Sequence, residues 1–155
     1  MLIGVISDTH GLLRPQALAA LADAAHIIHA GDIGNAEILQ QLARIAPVTA
    51  IRGNNDTYAW ATAIPETQCI SIGGTALYVL HDIKALDIDP VAGGVTAVIF
   101  GHSHQPSIEM RDGVLFLNPG SAGPRRFHLP VSVARLEIAD GTADAEILEL
   151  EIDPA

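Results

Sequence analysis

The stretch VTAVIFGHSH, residues 95–104, predicts a buried strand that ends in two histidines. Residues 95–100 are apolar and rich in β-forming side chains, which is typical of a strand covered on both faces. Gly101 permits a sharp turn, and His102 and His104 follow it two positions apart. Two imidazoles at this spacing can reach one metal ion from a single short loop, although a His-x-His pair by itself fits a polar loop equally well.

Four other predicted strands also end in residues whose side chains can bind metal ions. Strands 2–7, 26–30, 47–51 and 75–80 are followed by Asp8 and His10, Asp32, Asn54, and His81, respectively. Taken singly, each residue has an ordinary explanation, such as an Asx-turn at Asp8 or a solvated loop at His10. In an open α/β sheet, however, ligands bind outside the carboxyl ends of the strands. If the strands are neighbours, we expect all seven side chains to meet in one crevice.

The seven residues form a donor set of carboxylate, amide and imidazole groups. They are too many for one tetrahedral zinc ion, and they suit two ions that share a carboxylate. The absence of cysteine among them argues against a structural zinc site. This mixture of oxygen and nitrogen donors suits Mn²⁺, Fe, Ni²⁺ or Zn²⁺, and the sequence does not choose among them.

The hydrophobic pattern changes about half-way along the chain. The first half alternates three strands with two helices, which begin at Pro15 and after Asn35. This βαβαβ pattern predicts parallel strands with right-handed crossovers. Residues 83–94 leave room for only a turn or two of helix. The rest of the second half predicts three hairpins, which pair 68–72 with 75–80, 108–111 with 114–117, and 131–138 with 145–152.

His26 and His29 lie within or beside the second predicted strand, and we interpret both as structural residues. A histidine at such a position is more often a satisfied core residue than a metal ligand. We expect His29 to bond to a neighbouring loop.

Length and composition restrict the class of protein. A chain of 155 residues suits one domain with a real core, and a hydrophobic content of 49% argues against disorder. The net charge of −10 argues against a nonspecific surface for DNA or RNA, while bound cations would still allow a phosphorylated substrate. The lone Cys69 indicates a reducing compartment. Because the sequence shows no signal peptide and no membrane span, we expect a cytoplasmic protein.

The motifs together resemble those of the calcineurin-like metallophosphoesterase superfamily, and most closely its small bacterial branch of stand-alone phosphodiesterases. The resemblance extends from residue 1 to about 138, and it also includes Asn118-Pro119-Gly120-Ser121. It implies a single metallophosphoesterase domain, 1–155, with a four-layer αββα sandwich of two mixed β-sheets. The motifs that carry the resemblance are, in order, Asp8-x-His10, Gly31-Asp32, Gly53-Asn54, His81 and Gly101-His102-x-His104.

The resemblance also implies a dinuclear metal centre. Asp8, His10 and His104 would hold one ion, and Asn54, His81 and His102 would hold the second. Asp32 would bridge the two ions. The resemblance further implies that Asp32, Asn54 and His10 are catalytic residues. A hydroxide shared by the ions would attack a phosphodiester, because two cations lower the pKa of the water between them.

The implied cofactors are two divalent ions per chain, with Mn²⁺ preferred and Fe, Ni²⁺ or Zn²⁺ as alternatives. The implied partner is a small phosphorylated substrate. We expect a phosphoric diester hydrolase, and the resemblance allows a phosphomonoester side activity. We expect no stable binding of nucleic acid and no membrane partner, while a homo-oligomer is left open.

Two features depart from the wider superfamily. Protein phosphatases and broad-specificity members have a histidine directly after the ligand asparagine, where this chain has Asn55, which cannot act as an acid. The segment after His81 is also shorter than in many members, which would leave the site more open. Asn55 and Arg126 are the candidate substrate-binding residues. Arg126 lies in one loop with Arg125 and His128. An ordinary solvent-exposed loop would explain these residues as well.

Two other functions compete with that of a phosphodiesterase. A retromer subunit of eukaryotes uses this fold mainly as a scaffold, so a catalytically weak metal-binding or protein-interaction module is the main alternative. A scaffold does not need a complete ligand set, and all seven positions are filled here. A plain nucleotide-binding domain is disfavoured because the chain lacks a G-x-x-x-x-G-K-[ST] loop.

Overall fold

The computed structural model describes residues 1–152, and the last residues of the predicted domain lie outside them. Within these residues, ten strands and two α-helices follow one another. In order these are β1 (Leu2–Ile6), α1 (Pro15–Ala20), β2 (His26–His29), α2 (Ala36–Ala43), β3 (Val48–Ala50), β4 (Thr67–Ile72), β5 (Thr75–Leu80), β6 (Ala97–Ile99), β7 (Ser107–Arg111), β8 (Val114–Asn118), β9 (Ser132–Ala139) and β10 (Thr142–Glu149). Short 3₁₀ turns occupy Ala59–Ala61 and Ile83–Ala85.

The strands form two five-stranded mixed sheets. The first has the order β10-β9-β1-β2-β3, and the second has the order β4-β5-β6-β8-β7. Strands β1, β2 and β3 pair in parallel, as the βαβαβ pattern predicts. In the second sheet, β5, β6 and β8 are parallel, and antiparallel β4 and β7 form its edges. The predicted sandwich of two mixed sheets is therefore confirmed.

The main core lies between the two sheets. On β1, Ile3 and Val5 face the second sheet, where Leu77, Ile99 and residues of β8 pack against them. The alternate residues of β1 face the helices, as the two-residue period of a strand requires. Gly4 leaves the space that the Leu21 side chain occupies. This alternation buries β1 on both faces.

The outer face of each sheet has its own cover. Helices α1 and α2 cover the first sheet, with Ala17, Ile38 and Leu42 buried. Pro15 begins α1, and the Asn35 side chain caps α2 by accepting a hydrogen bond from the Ile38 amide at 3.3 Å. The second sheet is covered only by a short segment around the Ile83–Ala85 turn. The prediction that residues 83–94 leave room for only a turn or two of helix is thus confirmed.

The last hairpin differs from its prediction. Strand β10 begins at Thr142, three positions before the predicted start at residue 145, and ends at Glu149 rather than at residue 152. The turn is the pair Asp140-Gly141, in which both residues have positive φ. Such a pair makes a tight two-residue turn, so pairing with β9 starts directly after it. The early part of β10 was missed because alanine and aspartate are poor strand formers.

Candidate metal centre

All seven predicted ligands lie together at the carboxyl ends of five strands. The loops after β1, β2 and β3 come from the first sheet, and the loops after β5 and β6 come from the second. Their donor atoms form two adjacent groups, in each of which the atoms of three residues lie within 4.8 Å of one another. The first group is Asp8, His10 and His104, and the second is Asp32, His81 and His102, with Asn54 beside it.

The spacing in the first group fits a shared ion. The Nε2 atoms of His10 and His104 are 3.3 Å apart, and Asp8 Oδ1 lies 3.7 Å from the former and 3.4 Å from the latter. Two nitrogens bound to one zinc-sized ion at about 2.0–2.1 Å lie ~3.4 Å apart when the angle between them is tetrahedral. The three donor atoms are therefore already at the separations that one ion requires.

The second group has the same spacing and touches the first. His81 Nε2 lies 3.2 Å from Asp32 Oδ2 and 3.3 Å from His102 Nδ1, which in turn lies 3.2 Å from Asn54 Oδ1. Asp32 Oδ2 is also 3.7 Å from His10 Nε2. Asp32 thus contacts a histidine of each group, which is the arrangement that a bridging carboxylate needs.

One oxygen of Asp8 is buried without a hydrogen-bond donor among the described residues. Its Oδ2 accepts from Ser7 Oγ at 2.8 Å and from the His102 amide at 3.0 Å. Its Oδ1 has no partner, although the residue is fully buried. An unsatisfied buried carboxylate oxygen is costly, and a cation compensates for it. This oxygen faces the histidines of both groups, which fits metal binding at this place.

A hydrogen bond orients one of the imidazoles, and a longer contact with a carboxylate accompanies the orientation of a second. His81 Nδ1 lies 2.7 Å from the Ala30 carbonyl oxygen, so the ring donates there and keeps Nε2 free for a ligand. This is the usual arrangement of a metal-binding histidine, whose second nitrogen donates to a carbonyl or a carboxylate. His102 has the opposite orientation, because its Nε2 faces the Asp82 carboxylate at 3.8 Å. Its Nδ1 therefore points into the centre.

The electrostatics of the centre keep the carboxylates ionised. Burial acts to raise the pKa of Asp8, but the nearby imidazoles of His10 and His104 outweigh it and hold that pKa well below its usual range. The pKa of Asp32 is also lowered, because His81 and the Asn55 amide outweigh its burial. Burial acts to lower the pKa of His81, while Asp32 and Asp8 raise it above its ordinary value. The centre is thus anionic at neutral pH and attracts cations.

The ligand loops have strained backbone. Positive φ occurs at Asp8 (55°), His10 (46°), Asp32 (55°), His102 (73°) and His104 (64°). This region is costly for residues with a Cβ, and such strain concentrates at functional sites. Two of the other non-glycine residues with positive φ, Asp112 and Asp140, directly precede a glycine in a hairpin turn. The strain in this chain is therefore concentrated in the candidate centre.

Two glycines allow the ligand loops to meet. A Cβ at Gly53 would collide with the backbone and side chain of Asp32, and a Cβ at Gly101 would collide with Ser7 and Asp8. Each glycine comes directly before a predicted ligand. The close approach of neighbouring loops explains why Gly-Asn and Gly-His occur at these strand ends.

The predicted substrate residues differ in their positions. Asn55 is exposed at the centre, where its backbone amide and Nδ2 donate to Asp32. Arg126 is exposed in the loop that begins at Gly123, which packs against the backbone of Asp8 and Thr9. Within residues 1–152, the Arg126 side chain contacts none of the seven predicted ligands through a hydrogen bond or an ion pair. Its neighbour Arg125 lines a separate cavity next to the end of β10.

His26 and His29 are not brought to the centre as ligands. His26 Nε2 lies 2.8 Å from Thr49 Oγ1 of the neighbouring strand. His29 is fully buried; its Nδ1 accepts from the Gly31 amide at 3.1 Å, and its Nε2 lies 3.0 Å from Thr9 Oγ1. The expected bond from His29 to a neighbouring loop is thus present.

Several residues for which the sequence predicts no role brace the ligand loops. Asn118 Nδ2 donates to the Gly101 carbonyl and to Ser103 Oγ, both at 3.1 Å. Ser121 Oγ donates to the Asp8 carbonyl at 2.9 Å. The Asn-Pro-Gly-Ser motif therefore holds the loops after β6 and β1. Asp56 braces two further loops.

A cavity of about 390 Å³ opens beside the second group. Asn54, His81 and His102 form one side of it, and Leu80 and Ala85 contribute apolar surface. A molecule bound at the centre can therefore place part of itself in this cavity. The remaining lining residues are Arg52, Gly53, Glu66, Thr67, Asp82 and Asp87.

The profile of the calcineurin-like phosphoesterase superfamily domain matches residues 1–141. The chain belongs to this superfamily. The resemblance inferred from the motifs is therefore confirmed, and the family indicates a hydrolase of phosphoric esters with metal-binding residues. Among residues 1–152, no helix has the length and apolar character needed to cross a membrane.

Individual relatives agree with the family. A probable metallophosphoesterase of Methanothermobacter thermautotrophicus is 36% identical, over 96% of this chain and 92% of the relative. A phosphodiesterase of Methanocaldococcus jannaschii is 29% identical, over 77% of this chain and 83% of the relative. A solved structure, Vps29 of Entamoeba histolytica complexed with Zn²⁺, is 27% identical with a TM-score of 0.73, and the match covers 96% of this chain and 99% of that one.

Proposed function

We propose that the chain is a phosphodiesterase that uses two divalent cations. Asp8, His10 and His104 would hold one ion, Asn54, His81 and His102 the other, and Asp32 both. The observation that carries the proposal is the convergence of these seven side chains in two adjacent groups, beside a buried Asp8 Oδ1 that has no donor among residues 1–152. The relative named as a phosphodiesterase supports the same reaction class.

When bound, the two cations would activate a water molecule as the nucleophile and neutralise charge on the phosphoryl group. The residues of the chain prepare this chemistry. Asp32 presents Oδ2 to His10 and His81, while its Oδ1 is held by the Asn55 amide at 2.9 Å. Ionised Asp8 and Asp32 attract the cations, and the resulting local positive charge lets an anionic ester approach a chain with a net charge of −10.

The side chain of Asn55 supports a diester with a good leaving group. Its Nδ2 donates to Asp32 at 3.2 Å, and an amide has no acidic proton to give to a departing alkoxide. A leaving group of low pKa departs without this help. The cavity beside Asn54 would accommodate the second ester substituent, which a diester has and a monoester lacks. Arg126 is proposed to contact the substrate from the loop that begins at Gly123.

The donor chemistry supports Mn²⁺ as the preferred ion, with Fe, Ni²⁺ and Zn²⁺ as alternatives, because carboxylate and amide oxygens accompany the imidazoles. The test is hydrolysis of bis(p-nitrophenyl) phosphate by metal-free protein to which Mn²⁺, Ni²⁺ or Zn²⁺ is returned. We expect turnover that follows metal content. Metal binding without turnover of any aryl diester would favour the alternative of a metal-binding scaffold.

A further inference from the structure

Asp56 holds two ligand loops together through backbone hydrogen bonds. The residue is 4% exposed. Its Oδ1 accepts from the amides of Ile33 at 2.9 Å and Gly34 at 3.1 Å, and its Oδ2 accepts from the amides of Ile33 at 3.1 Å and Gly53 at 2.9 Å. One carboxylate therefore satisfies three backbone N–H groups on two different loops.

These N–H groups flank two of the proposed metal ligands. Ile33 directly follows Asp32 in the loop after β2, and Gly53 directly precedes Asn54 in the loop after β3. Asp56 also closes its own turn, because its amide donates to the Gly53 carbonyl at 3.1 Å. The carboxylate thus determines how far the Asp32 loop lies from the Asn54 loop.

We propose that Asp56 is a positioning residue. By fixing the separation of Asp32 and Asn54, it sets the affinity of the second group of ligands for its metal ion. This inference rests on the proposed metal centre. Asn54 is exposed, and the hydrogen bond recorded for its side chain within residues 1–152 is the one to His102 Nδ1. Because its own side chain is so weakly held, the position of Asn54 depends on the backbone that Asp56 anchors.

The first group has separate supports, so the effect of Asp56 should be selective. Ser7 Oγ and the His102 amide hold Asp8 Oδ2, and Ser121 Oγ holds the Asp8 carbonyl. None of these bonds involves Asp56. Asp32 is the one proposed ligand that the two ions share, so a change at Asp56 should weaken binding of the second ion more than binding of the first.

The test is a titration of metal-free protein with Mn²⁺, monitored by calorimetry and by electron paramagnetic resonance. The second method distinguishes an isolated Mn²⁺ from a coupled pair. Asp56→Asn keeps the size of the side chain and removes one acceptor oxygen. We expect the affinity for the second Mn²⁺ to fall by about 10–100-fold, as for other residues that orient ligands, and by clearly more than the affinity for the first. The coupled signal should then require correspondingly more Mn²⁺.

Asp89→Asn is the matched control. Asp89 Oδ1 also accepts from two backbone amides, those of Val91 at 3.1 Å and Ala92 at 3.3 Å, but in an exposed loop away from the ligands. We expect this variant to bind both ions like the wild type. Unchanged binding of both ions by Asp56→Asn, or equal weakening of both, would overturn the proposal.

Two further results separate the possible failures. If wild-type protein binds fewer than two ions, the proposed metal centre itself is wrong. If Asp56→Asn does not fold, amide hydrogen exchange in the metal-free wild type decides instead. We expect the Ile33, Gly34 and Gly53 amides to be protected before metal is added. Exchange of these amides at the rate of exposed loops would overturn the proposal, because the loops would then not be held by Asp56.

Discussion

Asn55 donates two hydrogen bonds to Asp32, from its backbone amide to Oδ1 at 2.9 Å and from Nδ2 to Oδ2 at 3.2 Å. The residue that stands where phosphatase relatives have histidine thus contacts the proposed bridging carboxylate directly. It orients Asp32, and it is exposed beside the centre.

Replacing Asn55 by histidine should change the response to the leaving group. An imidazole at this position can give a proton to a poor leaving group, and such acid catalysis is worth at most about 10²–10⁴ in rate. We expect Asn55→His to hydrolyse alkyl diesters better relative to nitrophenyl diesters. The measurement is a series of diesters with the same metal, in which log rate plotted against leaving-group pKa should have a shallower slope for the variant. Equal slopes at equal metal content would mean that position 55 does not face the leaving group.

Asp32→Asn should lower the catalytic activity far more than His26→Ala does. Asp32 contacts His10 and His81 across the two groups, whereas His26 bonds to Thr49 on the sheet. We expect Asp32→Asn to lower kcat/KM by more than the 10–100-fold typical of residues outside the ligand set. His26→Ala should keep its metal and lose about 1 kcal/mol of stability with its hydrogen bond. Elemental analysis and thermal unfolding check both variants, and loss of metal from folded His26→Ala would contradict the ligand assignment.

Metal binding should stabilise the fold as well as activate it. Asp8 Oδ1 is buried without a donor, and Asp8 and Asp32 are both ionised, so the metal-free centre holds uncompensated charge. Because a ligand that binds only the folded state stabilises it, Mn²⁺ at 100 times its Kd should add about 2.7 kcal/mol per site. We expect Tm to rise with Mn²⁺ concentration and activity to vanish in excess chelator. Full activity in chelator would contradict the mechanism.

His29 should make stability depend on pH. Burial lowers its pKa to about 4, and in its neutral form both ring nitrogens are already used. An unfolded histidine titrates near 6.5, so the unfolded chain binds the proton first as pH falls. The contribution of His29 is therefore complete above pH ~6.5 and lost between pH ~6.5 and ~4, by ~3 kcal/mol.

His29→Gln in metal-free protein should flatten this part of the profile. The measurement is urea unfolding from pH 7 to pH 4, with His26→Ala as a second variant on the same strand. We expect the wild type and His26→Ala to lose more stability over this range than His29→Gln. Parallel profiles for all three proteins would show that His29 takes up its proton as readily in the folded state as in the unfolded chain.

Much of the centre could be predicted from residue order alone. A buried strand has a recognisable pattern, and the residue after it lies at a sheet edge whatever the rest of the chain does. Asp8, Asp32 and His81 were identified in this way, and the structure brings them together. The Gly73-Gly74 and Asp112-Gly113 turns were equally readable, because a tight hairpin needs positive φ and these pairs provide it. Strand β10 was misplaced where that local signal was weak.

The metal count and identity, the diester substrate, the role of Arg126, the cytoplasmic location and the oligomeric state stay predictions. They depend on molecules other than this chain. The ligand assignment also stays a prediction, and the separations of the donor atoms support it.

The sequence by itself determined which residues end the strands and therefore which side chains can reach the centre. Only the tertiary structure decided how they are held: that Ser121 binds the Asp8 carbonyl across 113 positions, that His10 meets His104 across 94, and that Asp56 joins two loops. Strand patterns are local, with a period of two residues, and can be read from neighbours in the chain. Contacts between loops depend instead on how two sheets pack, which brings together residues with no relation in sequence.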